Sequence, residues 1–315
     1  MNSRIGLLTG LLVAQLVIIA AVLLLDAREA GNAANLLSLT PSEVDSVIIA
    51  DADQSLTLTR NDGKWQVGAF PADSAKVDKL ISDFAGFSTP WPVATTSGSA
   101  ERFEVSEDKF QRRVSFRKGD AVLAEVFLGT SPGFQRVHAR AAGSEDVFAI
   151  AFSNYQAPVK AEDWLDKAML AAVAPVKSIV SPAGWKLEKG TEGWLLDGVA
   201  ADQEKAGLYA ERFENLRILG EADAGAQSQG ADKGTFTVTD GSGDYTLQLH
   251  QGADASDYTV RSSRVDGAFK MAAYIAEQLL NDGGDLSATP SESGPDPESP
   301  PPATDAESDD NVAPE

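Results

Sequence analysis

Apolar and polar positions follow one order twice between residues 44 and 270. A constant offset of 129 pairs Trp65 with Trp194 (194 − 65), Val44 with Val173, Val47 with Val176, Leu56 with Trp185 and Leu58 with Leu187. The same offset carries Val67 to Leu196, Asp73 to Asp202, Leu80 to Tyr209, Phe84 to Phe213 and Phe87 to Leu216. Further along the offset falls to 121, matching Val126 with Leu247, Leu128 with Leu249, Val137 with Tyr258, Arg140 with Arg261 and Phe148 with Phe269. Apolar pattern, a helix cap and a turn are repeated, and no acid, base or nucleophile set is. Repetition of a core without repetition of chemistry points to a binding or scaffolding protein more than to an enzyme.

The pattern predicts strands over residues 44–50 and 56–60, the second with Leu56 and Leu58 on one face. Asn61-Asp62-Gly63 is a hairpin turn signal and 64–67 is the returning strand. Asp73 caps a helix whose apolar stripe is Val77, Leu80, Ile81, Phe84 and Phe87. Runs at 113–117, 121–128, 135–140 and 146–150, separated by Gly and Pro punctuation, predict an antiparallel meander. A helix over 162–170 connects to the next unit. There strands are predicted near 176–181, 184–189 and 193–196, then a helix capped by Asp202, then strands near 235–239, 245–250, 257–262 and 267–271. Residues 270–280 form the last helix, and the Gly-, Ala- and Gln-rich stretch 221–233 reads as a mobile loop. The expected fold is α+β: two tandem repeats of mainly antiparallel sheet plus a capped helix, the first over 41–172 and the second over 173–282.

Outside the repeats the composition changes. Residues 5–25 carry no charge and as a helix span roughly 31 Å at about 1.5 Å per residue, the thickness of a bilayer core. Arg4 precedes them, so the expectation is a cytoplasmic N-terminus over 1–4, a transmembrane anchor over 5–25 and a body in the periplasm. A cleaved signal peptide is the competing reading, but its apolar core is usually shorter. Gly6, Gly10 and Ala14 share one face of that helix, where small residues let a second helix approach. Residues 26–40 are a linker. Residues 283–315 hold nine acidic residues, seven prolines and no Lys or Arg, and read as a disordered acidic tail.

The formal charge of −21 argues against a nucleic-acid partner, because phosphates need a cationic patch. The chain has no cysteine, which excludes disulfides, thiolate nucleophiles and Cys-based metal sites. Gly129-Thr130-Ser131-Pro132-Gly133 has the spacing of a nucleophile elbow, yet Pro132 removes a needed N–H donor and a strand pattern follows, so Ser131 reads as a turn residue. His138 and His250 read as strand-surface histidines, too few to assemble a metal site. Asp51, Asp53 and Ser55 loosely match a calcium loop but lack its Gly and Glu, so they read as a turn at a strand edge. Arg140 and Arg261 stand out as the basic pair kept by the duplication. A cross-strand salt bridge is their plain reading, and a shared anion or partner contact the sharper one. Trp65 and Trp194 read as hairpin core.

The apolar N-terminal segment, the hairpin with Asp62-Gly63-Lys64-Trp65, the capped helix after Pro71-Ala72-Asp73, and Leu128-Gly129 followed by Val137-His138-Ala139-Arg140 together resemble the bacterial family known as domain of unknown function 4340 (DUF4340). The resemblance covers about residues 44–280; at the position of Gly129 the second unit has His250. It implies an anchored, exported protein at the inner membrane and an accessory of an ABC-type export or gliding-like transport system. It supplies no catalytic residues, cofactor or metal. The expected function is therefore a non-enzymatic, membrane-anchored periplasmic accessory or scaffold. The alternative is a tethered binding protein for an exported polysaccharide or other envelope ligand, with an aromatic cleft around Trp91, Trp164 or Trp185. An envelope hydrolase would need a convergent acid–base or nucleophile set, which the sequence does not display.

Overall fold

The computed structural model describes residues 15, 17–20, 35–89, 91–223, 230–252, 254, 257–280 and 283–288. The expectations for residues 1–14 and most of the apolar segment, Gly6, Gly10 and Ala14 among them, lie outside the described residues, as do those for 289–315. No helix among the described residues is long and apolar enough to cross a membrane.

Two mainly antiparallel sheets form the body. The first comprises β1 (Ser46–Ala50), β2 (Ser55–Asn61), β3 (Lys64–Val67), β4 (Phe70–Pro71), β5 (Arg112–Lys118), β6 (Ala121–Leu128), β7 (Val137–Ala141) and β8 (Phe148–Ile150), in the order β4-β3-β2-β1-β5-β6-β7-β8. The second comprises β9 (Ser178–Val180), β10 (Lys186–Lys189), β11 (Trp194–Leu196), β12 (Val199–Ala200), β13 (Gly220–Glu221), β14 (Ala231–Asp240), β15 (Gly243–Gln251), β16 (Asp257–Ser262) and β17 (Phe269–Ala272). Its order, β12-β11-β10-β9-β14-β15-β16-β17-β13, repeats the first and adds one edge strand. Helices α1 (Ser74–Gly86) and α2 (Ser97–Arg102) belong to the first half, α3 (Gln203–Glu214) and α4 (Ala273–Leu279) to the second.

Local chemistry explains the repeated parts. Asp62 and Gly63 both take positive φ (49° and 79°), giving the two-residue turn whose twist suits a hairpin. Asp73 and Asp202 accept from the backbone N–H of Lys76 and Lys205 at 3.0 and 3.1 Å, satisfying a donor in the first turn of each helix. The stripes Val77, Leu80, Ile81, Phe84 and Ala206, Tyr209, Ala210, Phe213 are buried at matching positions. Strand register confirms the offset of 121 in the second halves: Leu128 faces Ala139 and Leu249 faces Val260.

The first strand departs from the constant offset. Leu58 faces Val47, eleven residues earlier (58 − 47), whereas Leu187 faces Ile179, eight residues earlier (187 − 179). The connecting turn is three residues shorter in the second half, so Val47 corresponds to Ile179 and not to Val176.

Four expectations are corrected. Residues 162–170 are not a helix. A single 3-10 turn at Ala161–Asp163 is followed by chain that pairs with the corner before α1, through Asp73 N–H to Trp164 O at 2.8 Å and Asp166 N–H to Pro71 O at 2.9 Å. Those bonds satisfy backbone groups that a helix would have used. Of the loop expected over 221–233, Glu221 ends β13 and 231–233 begin β14, while 224–229 lie outside the described residues; α4 begins only at Ala273 because 269–272 pair with β16. The acidic tail does not begin at Gly283: Leu286 is buried in the second core, its carbonyl accepts from Asp202 N–H at 2.9 Å, and Ser287 bridges Ala201.

Each sheet carries its own hydrophobic core. Leu165 belongs to the first and Leu170 to the second, so the second core begins inside the stretch assigned to the first unit. Phe70 packs at the edge of both, with its ring 5.2 Å from that of Phe269.

Candidate functional site

Trp65 and Trp194 are buried in the cores, as hairpin residues should be. Each faces a cation across its hairpin: Arg60 lies 4.6 Å from the Trp65 ring and Lys189 lies 4.8 Å from the Trp194 ring. Arg60 and Lys189 are thus a basic pair kept at the 129 offset that the sequence comparison overlooked. Trp65 Nε1 also donates to Asp78 at 2.8 Å.

Arg140 makes no cross-strand salt bridge. It is buried, with Nε donating to Val105 O at 2.6 Å and Nη1 to Ser144 O at 2.9 Å, above the Phe127 ring. Its charge holds the segment after α2 onto the sheet. Arg261 is exposed on β16 opposite Gln248, so the two arginines do not share an environment. His138 is not a surface residue either. It is buried against Phe103, ring centroids 4.2 Å apart, and hydrogen-bonded through Nδ1 to Thr130 Oγ1 at 2.9 Å. Burial pushes its pKa below the usual histidine range, with help from the charge of Arg102 and against a hydrogen bond that the ring donates to the Thr130 backbone.

Packing of the segment after α2 explains why Gly129 and His250 differ. A Cβ on Gly129 would stand 1.9 Å from the Phe103 carbonyl oxygen. The stretch between α1 and β5 that carries Phe103 is longer than the one between α3 and β14.

A surface cavity lies at the end of the first sheet. Gln111, Arg112, Ser131, Gln135, Arg136, Val137, Ser153, Asn154 and Tyr155 line a cavity of about 350 Å³. Ser131 Oγ donates within its own turn, to the carbonyls of Gly133 and Arg136 at 2.7 Å, which fits the turn reading. Arg112 pairs with Asp51 at 2.9 Å. Burial works to raise the Asp51 pKa, but N–H donors from Asp53 and Gln54 and the Arg112 guanidinium together hold it below the usual carboxylate range. These bonds make the 51–54 segment a turn tied to β5. Asn154 Nδ2 donates to Gln111 Oε1 at 2.9 Å, while Asn154 Oδ1 and Arg112 Nε are buried without a partner.

Tyr155 of this lining stands in the open, and so does Phe134, which precedes the lining residue Gln135 in the chain. Phe134 is 90% exposed and Tyr155 94%. Neither was singled out from the sequence. Phe134 directly precedes the strand predicted over 135–140, but β7 starts at Val137 and Phe134 occupies the preceding turn, beside Gln135 at φ 52°. Tyr155 sits on a 3-10 turn closed by a capping box between Ser153 and Gln156. It also borders a second hollow of about 290 Å³ lined by Lys76, Lys79, Asp83 and Phe152. Of the tryptophans expected around a cleft, Trp164 and Trp185 are buried in the cores and Trp91 is exposed.

A family model described as a domain of unknown function, DUF4340, matches residues 65–234, which is 170 of the 315 residues (234 − 65 + 1). The chain belongs to the DUF4340 family. No curated protein and no solved structure matches it. The DUF4340 match begins at Trp65 in β3 and ends at Gly234 in β14, so it takes in both capped helices, the Phe134–Tyr155 face and parts of both sheets.

Proposed function

We propose that this DUF4340 protein is a non-enzymatic, membrane-anchored accessory or scaffold subunit, with its body in the periplasm. It docks on other subunits of a membrane complex, of the ABC-type export or gliding-like class, through the Phe134–Tyr155 face. The observation that carries this reading is two almost fully exposed aromatic rings, Tyr155 in the lining of a polar cavity and Phe134 in the turn that leads to its lining residues Gln135 and Arg136. Aromatic side chains are enriched at protein interfaces, and amide and guanidinium groups around them supply directional contacts. The apolar segment 5–25 supports the anchored placement. The charged groups Arg140, Asp51 and Arg112 are engaged in holding loops and turns, which suits a scaffold.

Co-purification tests it. Full-length protein is recovered from native membranes in mild detergent beside the double variant Phe134→Ala/Tyr155→Ala, and companions are identified by mass spectrometry. The expected result is stoichiometric recovery of transport-complex subunits with the parent chain and their loss with the variant. Recovery of the protein alone would sink a stable complex. Equal recovery with the variant would move the contact elsewhere.

The same aromatic rings beside amides favour a second reading, a tethered binder of exported polysaccharide. Retention on insoluble polysaccharide that is lost in the same double variant would select it.

A further inference from the structure

The second half carries a cavity of about 300 Å³, lined by Ser181, Pro182, Ala183, Trp185, Lys233, Phe236, Leu279 and Leu280. Register shows how this place differs between the halves. Val47 corresponds to Ile179, so Ile49, two residues on, corresponds to Ser181; Leu56 corresponds to Trp185 by the offset of 129. In the first sheet Ile49 and Leu56 face each other as an ordinary buried apolar pair. In the second, Ser181 and Trp185 hold the same places, 5% and 9% exposed, and Ser181 N–H donates to Trp185 O.

Both substituted side chains bring a polar atom that finds no partner. Ser181 Oγ and Trp185 Nε1 are buried without a hydrogen bond. Leaving a buried donor unpaired is costly, and the first half demonstrates that this fold closes the position with apolar side chains alone. The cost therefore calls for an acceptor that arrives from outside.

A third group converges independently. The β14–β15 register jumps from Asp232–His250 to Gly234–Leu249, leaving Lys233 as the extra residue of a β-bulge. Bulges re-aim side chains, and this one sets a half-buried Lys233 on the cavity wall. The remaining walls are apolar: Phe236, Leu279, Leu280 and Pro182.

We propose that the second half binds a small carboxylate with a compact apolar body. Its carboxylate oxygens accept from Ser181 Oγ, Trp185 Nε1 and the Lys233 ammonium, and its body packs on Phe236 and Leu279. One cation and two neutral donors match a single negative charge, and the volume suits a ligand of ring size.

The test reads the Trp185 indole N–H directly. Full-length protein labelled with ¹⁵N-tryptophan is titrated with benzoate, with benzyl alcohol as the neutral counterpart and acetate as the counterpart without a body. Trp185→Phe assigns the resonance. The expected result is a saturable shift at the Trp185 indole, with benzoate at least tenfold tighter than either control. Lys233→Met weakens benzoate at least tenfold and Ser181→Ala at least threefold, with the other four indole signals unmoved. Three results would overturn the proposal: no saturable shift with benzoate, an equal response to benzyl alcohol, which marks an apolar cavity only, or variants that bind as the parent does.

Discussion

Replacing Asp240 with alanine removes a fully buried carboxylate that ties three segments of the second half together. Its oxygens accept from Val173 N–H at 2.7 Å, Ser242 N–H at 2.7 Å and Ser242 Oγ at 3.0 Å, and from Arg264 Nη1 and Nη2 at 2.6 and 2.8 Å. The side chain is 0% exposed and that of Arg264 27%. Arg264 also lies 3.8 Å from the centre of the Tyr245 ring and donates to Gly243 O. The carboxylate thus clamps the chain entering the second sheet, the β14–β15 turn and the loop after β16. Deleting one partner leaves a guanidinium and two backbone donors uncompensated, a loss of about 3–5 kcal/mol for a buried pair. At roughly 2–4 °C per kcal/mol for a body of this size, Tm falls by about 6–20 °C. Denaturant unfolding followed by tryptophan fluorescence measures the loss, and a cycle with Arg264→Ala measures the coupling. A loss under about 1 kcal/mol, or strict additivity in the cycle, refutes the clamp. The pH dependence follows with a definite sign. Hydrogen bonds from Arg264 hold the Asp240 carboxyl well below the usual carboxylate range, overcoming its burial. A group whose folded pKa is depressed stabilises fully above its unfolded value, about pH 4, and loses that contribution as pH falls from there through its folded value. The stability gap between the parent and Asp240→Asn is therefore constant from pH 5 to 8 and narrows only below about pH 4.

Asp73→Ala and Asp202→Ala each lose one cap bond, so each lowers stability by about 1 kcal/mol in the same unfolding assay. Gly129→Ala drives a methyl group into the Phe103 and Glu104 backbone. It costs about 1–3 kcal/mol as overpacking and speeds hydrogen exchange in α2, whereas a neutral outcome would mean the insertion is not held there. Ending the chain at 282 instead of 288 removes buried Leu286 and the bond from Asp202 N–H to its carbonyl. About 2 kcal/mol is lost on that account, while ending it at 288 leaves the folded core intact; equal stability of the two truncations would contradict the packing of Leu286.

What the sequence determined by itself is local. The helix stripes at Val77, Leu80, Ile81, Phe84 and at their counterparts follow from a period near four. The caps Asp73 and Asp202 and the Asp62-Gly63 turn follow from bonding and φ requirements that act within a few residues. These survive in any context, so they were legible twice, and they carried the family resemblance. Tertiary structure decided what depends on distant neighbours. It set β1 beside β5 and β9 beside β14 across long loops, and it shortened one turn by three residues while keeping the apolar alternation that masked the change. It buried Arg140 and His138 under an insertion whose position no periodicity encodes, and it drew Leu286 out of an acidic tail into a core. The candidate surfaces belong to this second class. Phe134 and Tyr155 are exposed because turns end strands where they do, and Ser181, Trp185 and Lys233 meet because register and a bulge bring them to one cavity. Hydrophobic pattern records which side of its own element a residue occupies; which edges meet, and what is left over between them, is settled by packing the elements together.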